Sequence, residues 1–241
     1  QDITVDDMLK GIKLNIPDKT TMTPNGALFR TDKKGFLPTM MEELYNERVT
    51  YKKKMLSAQQ EFENTKDNKY KKLISRYNNI QMARKISLNS AYGAIGNQYF
   101  RYYDKAIAEG ITKSGQLSIR WIENRLNKYL NNILKTDDDY VIASDTDSVY
   151  LTMDKLVTKT IKSDNALSKT INFLDKVASE SIEPYITKSY DELKQYTNAF
   201  ANKMFMKREV IADKGIWVAK KRYILNVWDS EGVSYKEPKL K

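Results

Sequence analysis

Helical periodicity dominates the chain between Met40 and Leu88. Apolar side chains recur there every three or four residues, which is the spacing of one helix face. The apolar positions are Leu44, Tyr51, Met55, Ala58 and Phe62 in a first stretch and Tyr70, Leu73, Ile74, Tyr77 and Ile80 in a second. A polar run at 64–68 separates the stretches, and Pro38 suits the first turn of a helix. The pattern predicts two long antiparallel helices joined by a short turn.

The remaining segments mix strand and helix patterns. Turn signals around short apolar pieces in the first 37 residues predict strands and loops, and a third helix is expected over about 111–134. A β-hairpin is expected at 140–151, a helix over about 165–196, and strands at 204–212, 215–228 and 233–235. The predicted fold class is α+β, with an antiparallel sheet packed against helices and a projecting two-helix hairpin.

Composition excludes several classes of chemistry. The 241 residues include no cysteine and no histidine, so disulfide scaffolds, thiolate or imidazole metal sites and histidine-dependent triads are excluded. No run approaches the roughly 20 apolar residues that cross a bilayer. The first residues lack the basic and apolar regions of a secretory signal. We therefore expect a cytoplasmic protein without a membrane partner.

Positive charge concentrates on the predicted helical hairpin. The formal net charge is +10, and residues 46–92 hold eleven Lys or Arg against four Asp or Glu. A basic surface of this kind favours an anionic partner such as nucleic acid. A solvated helix face explains any single lysine equally well. A non-catalytic basic nucleic-acid-binding module is therefore one functional hypothesis.

Two aspartates lie at the predicted tip of the β-hairpin. Asp145 and Asp147 are separated by one residue, so a tight turn can direct both carboxylates the same way. Close carboxylates repel each other unless a cation lies between them, and Mg²⁺ is commonly held by one or two carboxylates plus substrate phosphates. An Asp-rich turn without a ligand has the same sequence.

Cations, an amide and an aromatic ring lie on the predicted helical hairpin. Lys85, Asn89 and Tyr92 are spaced i, i+4 and i+7 and share one helix face. Arg48 and Lys52 are spaced i, i+4 on the other helix. Because antiparallel helices return Lys85 toward Arg48, these groups can converge on a polyphosphate. Ordinary surface cations on amphipathic helices would show the same spacing.

A basic run lies near the end of the chain. Lys220, Lys221, Arg222 and Tyr223 fall inside a predicted apolar strand, and Lys239 follows in the last segment. Such cations can line the solvated face of a strand, or they can hold a nucleic-acid backbone without reading its sequence.

Together and in this order, these motifs resemble the fingers and palm of B-family DNA polymerases, particularly those of T-even-type phages. The resemblance extends from about Pro38 to Lys241. It includes the segments 96–104, 115–116, 121–123, 173–176 and 226–229. The resemblance implies a DNA-directed DNA polymerase that binds dNTP and primer-template DNA and uses two Mg²⁺ ions, with Mn²⁺ as a substitute. If a phage encodes the protein, the implied location is the cytoplasm of the host cell.

The resemblance also assigns roles to residues. It implies that Asp145 and Asp147 are the catalytic metal ligands of the palm and that Lys85 contacts the incoming triphosphate. Asn89 and Tyr92 would pack near the sugar and the nascent base pair. The remaining assignments are nucleotide contacts for Arg48 and Lys52, and DNA contacts for Lys220, Lys221, Arg222, Tyr223 and Lys239.

The implied domains are an edge segment at 1–37, the fingers at 38–97 and the palm at 98–241. The family has glycine where this sequence has Ser144, so an altered turn is expected there. The family's other metal-binding aspartate, in an Asp-x-x-Ser-Leu-Tyr-Pro-Ser motif, and its exonuclease are expected before Gln1, and its thumb beyond Lys241. We therefore expect this polypeptide alone to be nearly inactive and to need those parts from the same or a separate chain.

Overall fold

Helices and short antiparallel sheets alternate along the chain. The computed structural model describes residues 3–161, 167–219 and 221–241. Its helices are α1 Val5–Leu9, α2 Phe36–Thr65, α3 Asn68–Ile95, α4 Lys105–Leu134, α5 Asp154–Thr160, α6 Leu167–Val177, a π-helical turn Ala178–Ile182 and α7 Glu183–Tyr196. Its strands are β1 Thr20–Met22, β2 Leu28–Arg30, β3 Val141–Asp145, β4 Ser148–Leu151, β5 Val210–Ala219, β6 Arg222–Ser230 and β7 Val233–Leu240. The predicted α+β class is confirmed.

The strands do not form one sheet. Those of the described residues fall into three antiparallel sheets, β1–β2, β3–β4 and β5–β6–β7. The expectation of a single sheet was wrong because period-2 patterns identify strands but not their partners. By contacts, the chain divides into two compact units, one holding Ala106–Arg208 with the segment up to Asp32, the other Lys33–Lys105 with Glu209–Lys241. The predicted domain boundaries remain predictions.

The core of the first unit forms around α4. Leu117, Ile122, Leu126 and Leu130 recur at helical spacing and are almost fully buried. They pack in clusters with α1, α7 and the β3–β4 hairpin. Trp121 is half-buried at the edge and donates its indole N–H to the Ser189 carbonyl at 3.0 Å. The buried face of α4 therefore packs against the β3–β4 hairpin, which carries Asp145 and Asp147 at its tip.

Elements after the acidic hairpin differ from the sequence prediction. The helix expected over 165–196 is divided into α6, a π-turn and α7, and residues 165–166 lie outside the described part. A further helix, α5, precedes it. The strand expected at 204–212 begins only at Val210. Short apolar runs do not distinguish these states by periodicity alone.

The second unit contains the helical hairpin and the three-stranded sheet. α2 ends at Thr65 and is followed by Lys66, which has a left-handed φ of 56°. Asp67 caps α3 by accepting the Lys69 backbone N–H at 2.9 Å. Tyr51 of α2 and Tyr77 of α3 pack with ring centroids 6.3 Å apart. The two helices predicted from periodicity are therefore present as α2 and α3.

Candidate active site

Asp145 and Asp147 lie at the tip of the β3–β4 hairpin. Asp145 ends β3 and pairs with Ser148, the first residue of β4, so Thr146 and Asp147 form a two-residue turn. The Asp145 carbonyl accepts the Asp147 N–H at 2.5 Å and the Ser148 hydroxyl at 3.2 Å. The Thr146 hydroxyl donates to Asp145 Oδ1 at 3.0 Å. Asp145 is half-buried and Asp147 is exposed, which leaves carboxylate oxygens accessible at the tip.

Ser144 does not strain the hairpin. It lies within β3 opposite Val149, and its φ is not positive. The left-handed residue of the turn is Thr146, with a φ of 52°. Serine in place of the glycine that the resemblance leads one to expect therefore occupies an ordinary strand conformation.

Tyr190 of α7 lies near Asp147. The sequence pattern did not predict that this tyrosine is close to the acidic tip. Its side chain is 3% exposed. Burial and the negative charge of Asp147 raise the pKa of Tyr190 to about 12. Helical periodicity marks Tyr190 as a core position, but no local signal indicates that it lies near the acidic tip.

The donor set at the tip suits a hard divalent cation only in part. Its carboxylate oxygens are the donors that Mg²⁺ prefers, and one or two carboxylates with substrate phosphates are a usual set. Within residues 3–161, 167–219 and 221–241, no three Asp or Glu side chains cluster as a metal site. Asp145 and Asp147 thus fit as a partial set that oxygens from other groups would have to complete.

Lys85, Asn89 and Tyr92 lie together on the solvent side of α3. All three side chains are exposed, as their spacing predicted. A Cβ built on Gly93, the next residue, would meet no atom within 4 Å, so the helix surface is open there. The face can therefore accept a ligand without rearrangement of the helix backbone.

Arg48 is level with Lys85 along the hairpin. Glu47 accepts a hydrogen bond from the Arg84 Nε at 2.5 Å. Arg48 directly follows Glu47 in α2, and Lys85 directly follows Arg84 in α3. Within the described chain, the buried Arg48 Nε has no hydrogen-bond partner. Lys52, one turn along α2, instead donates to Glu231 Oε1 at 2.5 Å. The Glu47–Arg84 contact therefore brings the turns of α2 and α3 that carry Arg48 and Lys85 to the same level, and Lys52 is engaged in an ion pair.

A groove between α2 and α3 was not predicted. It encloses about 420 Å³, and its lining residues are Asn46, Glu47, Thr50, Tyr51, Lys54 and Arg84. None of the predicted nucleotide-binding residues lines it. Its mixed polar lining had no distinguishing signal in the sequence.

Within the basic run near the end of the chain, Lys221 lies in the turn between β5 and β6. β5 continues through Gly215 to Ala219, and Lys221, with a φ of 62°, precedes β6. Lys220 lies outside the described residues. Arg222 and Tyr223 begin β6, and the Tyr223 ring lies 6.3 Å from that of Trp217. The prediction of a strand interior is therefore wrong for Lys221, because its left-handed φ breaks the strand, whereas Arg222 and Tyr223 do lie in a strand.

Lys239 is engaged within the second unit. Its ammonium donates to Glu63 Oε1 at 2.6 Å and lies 3.9 Å from the centroid of the Tyr235 ring. The aspartates belong to the first unit, whereas the predicted nucleotide- and DNA-binding residues that the structure describes belong to the second.

Comparisons with known proteins identify the family. A model of DNA polymerase family B matches residues 4–184. The chain is 35% identical to the DNA-directed DNA polymerase of Escherichia phage RB69 over 286 aligned positions, covering 98% of this chain and 32% of the relative. It is 34% identical to that of Enterobacteria phage T4, covering 93% of this chain and 31% of the relative. The DNA polymerase delta catalytic subunit of Candida albicans is 34% identical, with 55% of this chain and 12% of that protein covered.

The chain therefore belongs to DNA polymerase family B, and the resemblance drawn from its motifs is confirmed. It spans about a third of the length of the two phage polymerases. Across the described residues, no helix has the length and apolar character to span a bilayer.

Proposed function

We propose that this chain supplies fingers and palm elements of a template-directed DNA polymerase that joins a deoxynucleotide to a primer end. The observation that carries the proposal is the acidic β3–β4 tip, with Asp145 and Asp147, inside the segment that matches family B. The exposed Lys85 face of α3 adds a candidate nucleotide site. Primer-template DNA and dNTP are the proposed partners.

Asp145 and Asp147 would hold divalent metal, Mg²⁺ by preference. Metal ions in such a site polarise phosphoryl oxygens and neutralise developing charge. The chain's own contribution is positional, because the hairpin hydrogen bonds hold the Asp145 backbone and fix where both carboxylates lie. Their fixed negative charge favours cation binding at the tip.

The cations of the helical hairpin would bind and orient the triphosphate. Lys85 and Arg48 lie level along the hairpin and offer a point charge and a planar fork of donors. Lys52 would add a third charge on α2. Asn89 and Tyr92 offer an amide and an aromatic surface beside Lys85, suited to a sugar and a base.

Lys221, Arg222 and Lys239 would contact the DNA backbone. Phosphate contacts of this kind strengthen binding without reading sequence. The turn that carries Lys221 presents backbone and side chain at the end of the β5–β6 hairpin.

Nucleotide binding to the chain with Mg²⁺ tests the proposal. Lys85→Ala should weaken dTTP affinity about tenfold to a hundredfold, because a charge-assisted hydrogen bond is lost. Lys72→Ala is the matched control, since Lys72 is exposed on the same helix away from the proposed face. Equal loss in both variants, or none in either, would contradict the assignment. Binding of duplex DNA with no response to dTTP would favour the non-catalytic binding module instead.

A further inference from the structure

Glu231 holds one of the proposed triphosphate cations. The Lys52 ammonium lies 2.5 Å from Glu231 Oε1, and the two side chains are 33% and 22% exposed. The residues are 179 positions apart, in α2 and in the turn between β6 and β7. Partial burial shields this pair from solvent more than most ion pairs among the described residues, which favours its persistence.

The turn that carries Glu231 is held independently of the lysine. Glu231 has a left-handed φ of 53° and donates its backbone N–H to the Glu209 carbonyl at 2.5 Å. The buried Asp229 carboxylate accepts the Gly232 N–H at 3.0 Å and the Ser234 hydroxyl at 2.7 Å. Three hydrogen bonds therefore hold the backbone of the turn that carries the Glu231 side chain.

We propose that Glu231 is a positioning residue that holds Lys52 in the nucleotide-free protein and competes with the triphosphate for its ammonium group. The inference rests on the proposed function, because it assigns Lys52 to nucleotide binding. A triphosphate carries several negative charges and displaces a single carboxylate from a lysine when other cations assist. The exchange lowers apparent nucleotide affinity, because the ion pair must break first.

Calorimetric titration of the full chain with dTTP and, separately, with inorganic tripolyphosphate, both with Mg²⁺, tests the competition. Glu231→Gln keeps the side-chain length and should strengthen binding of both probes about threefold to tenfold, the range expected for a partly exposed pair. In a Lys52→Ala background, Glu231→Gln should change neither affinity, which a general charge effect would not predict.

Glu63→Gln is the matched control. Glu63 accepts Lys239 at 2.6 Å and also pairs with Lys66, so this variant removes one carboxylate, one ion pair between α2 and β7 and one ion pair at the end of α2. It should leave dTTP affinity within about twofold of wild type. An equal gain in Glu63→Gln would assign the effect to net charge and overturn the competition.

The remaining outcomes separate the two proposals. If wild type binds dTTP and Glu231→Gln binds it equally or more weakly, the proposed competition is overturned while the nucleotide site stands. Glu231 would then not compete with the triphosphate for the Lys52 ammonium. Binding detected only in Glu231→Gln supports it. Absence of dTTP binding in every variant removes the proposed nucleotide site, and the competition with it.

Discussion

Thr146 defines the conformation of the acidic tip. A β-branched residue with a φ of 52° is uncommon, because its Cβ crowds the backbone in the left-handed region. The neighbouring hydrogen bonds to the Asp145 carbonyl compensate for this strain. Strained residues of this kind cluster at functional sites, which agrees with a role for the tip in holding two carboxylates.

Tyr190 supplies a pH-dependent measure of the tip environment. Because its pKa is about 12 against 10.0 for an ordinary tyrosine, the unfolded chain loses this proton first as pH rises. The free energy of unfolding should therefore fall by about 1.4 kcal/mol per pH unit between those values and be unaffected below them. Denaturant unfolding at about pH 9 and about pH 11 measures the fall.

Two variants separate the causes of that shift. Tyr190→Phe should remove this part of the alkaline loss. Asp147→Asn should lower the pKa of Tyr190 only partly, because burial is the larger cause and Asp147 the smaller. A Tyr190 pKa unchanged in Asp147→Asn would show that the carboxylate does not lie close to the ring.

At the scale of elements, α2 and α3 depend on their ends more than on a core. Of their described residues, Ala58, Gln81 and Ile95 are the buried ones. Most of the hairpin is exposed, so the apolar surface that it buries is small. Ion pairs such as Glu47–Arg84 and the caps at the turn therefore contribute a larger share of its stability.

The cap of α3 is open to a direct test. Asp67→Ala should reduce the free energy of unfolding by about 1 kcal/mol, because the Lys69 N–H loses its side-chain acceptor. Asp67→Asn keeps an accepting oxygen, so its free energy of unfolding should fall by at most about 0.3 kcal/mol. Thermal unfolding followed by circular dichroism compares the three proteins. Equal destabilisation in both variants would assign the effect to the Asp67 charge rather than to the cap.

For the whole molecule, the positive net charge determines its long-range attraction to DNA. The formal charge is +10, and residues 46–92 carry most of it. Several of these cations are paired with acids, including Lys52, Lys66 and Lys69. Long-range attraction to DNA therefore depends on the sum of the charges, whereas each contact depends on which cations stay available.

Salt dependence measures one such contact. Lys221→Gln should weaken affinity for a primer-template duplex and reduce the slope of log affinity against log salt by about one, because one phosphate contact is lost. Lys128→Gln removes an equal charge from an exposed position on α4 and should leave the slope unchanged. Equal slopes in both variants would contradict a direct phosphate contact by Lys221.

Local pattern was enough for the long helices and the acidic hairpin. The spacing of apolar residues predicted the presence of α2, α3 and α4, because a helix repeats over side chains that are close in sequence, although α3 extends beyond Leu88 to Ile95 and α4 begins at Lys105. It also placed Asp145 and Asp147 in a turn between two strands. The pattern separated strands at 204–212 and 215–228, whereas β5 runs continuously from Val210 to Ala219.

The family, the helical hairpin and the acidic turn could be predicted from residue types at short spacing. The folded protein was needed to show that the described strands form three sheets, that Tyr190 is buried near Asp147 and that Glu231 binds Lys52. These contacts join residues that are far apart along the chain. A pair 179 residues apart forms because the backbone path brings its members together, and no local spacing encodes that path.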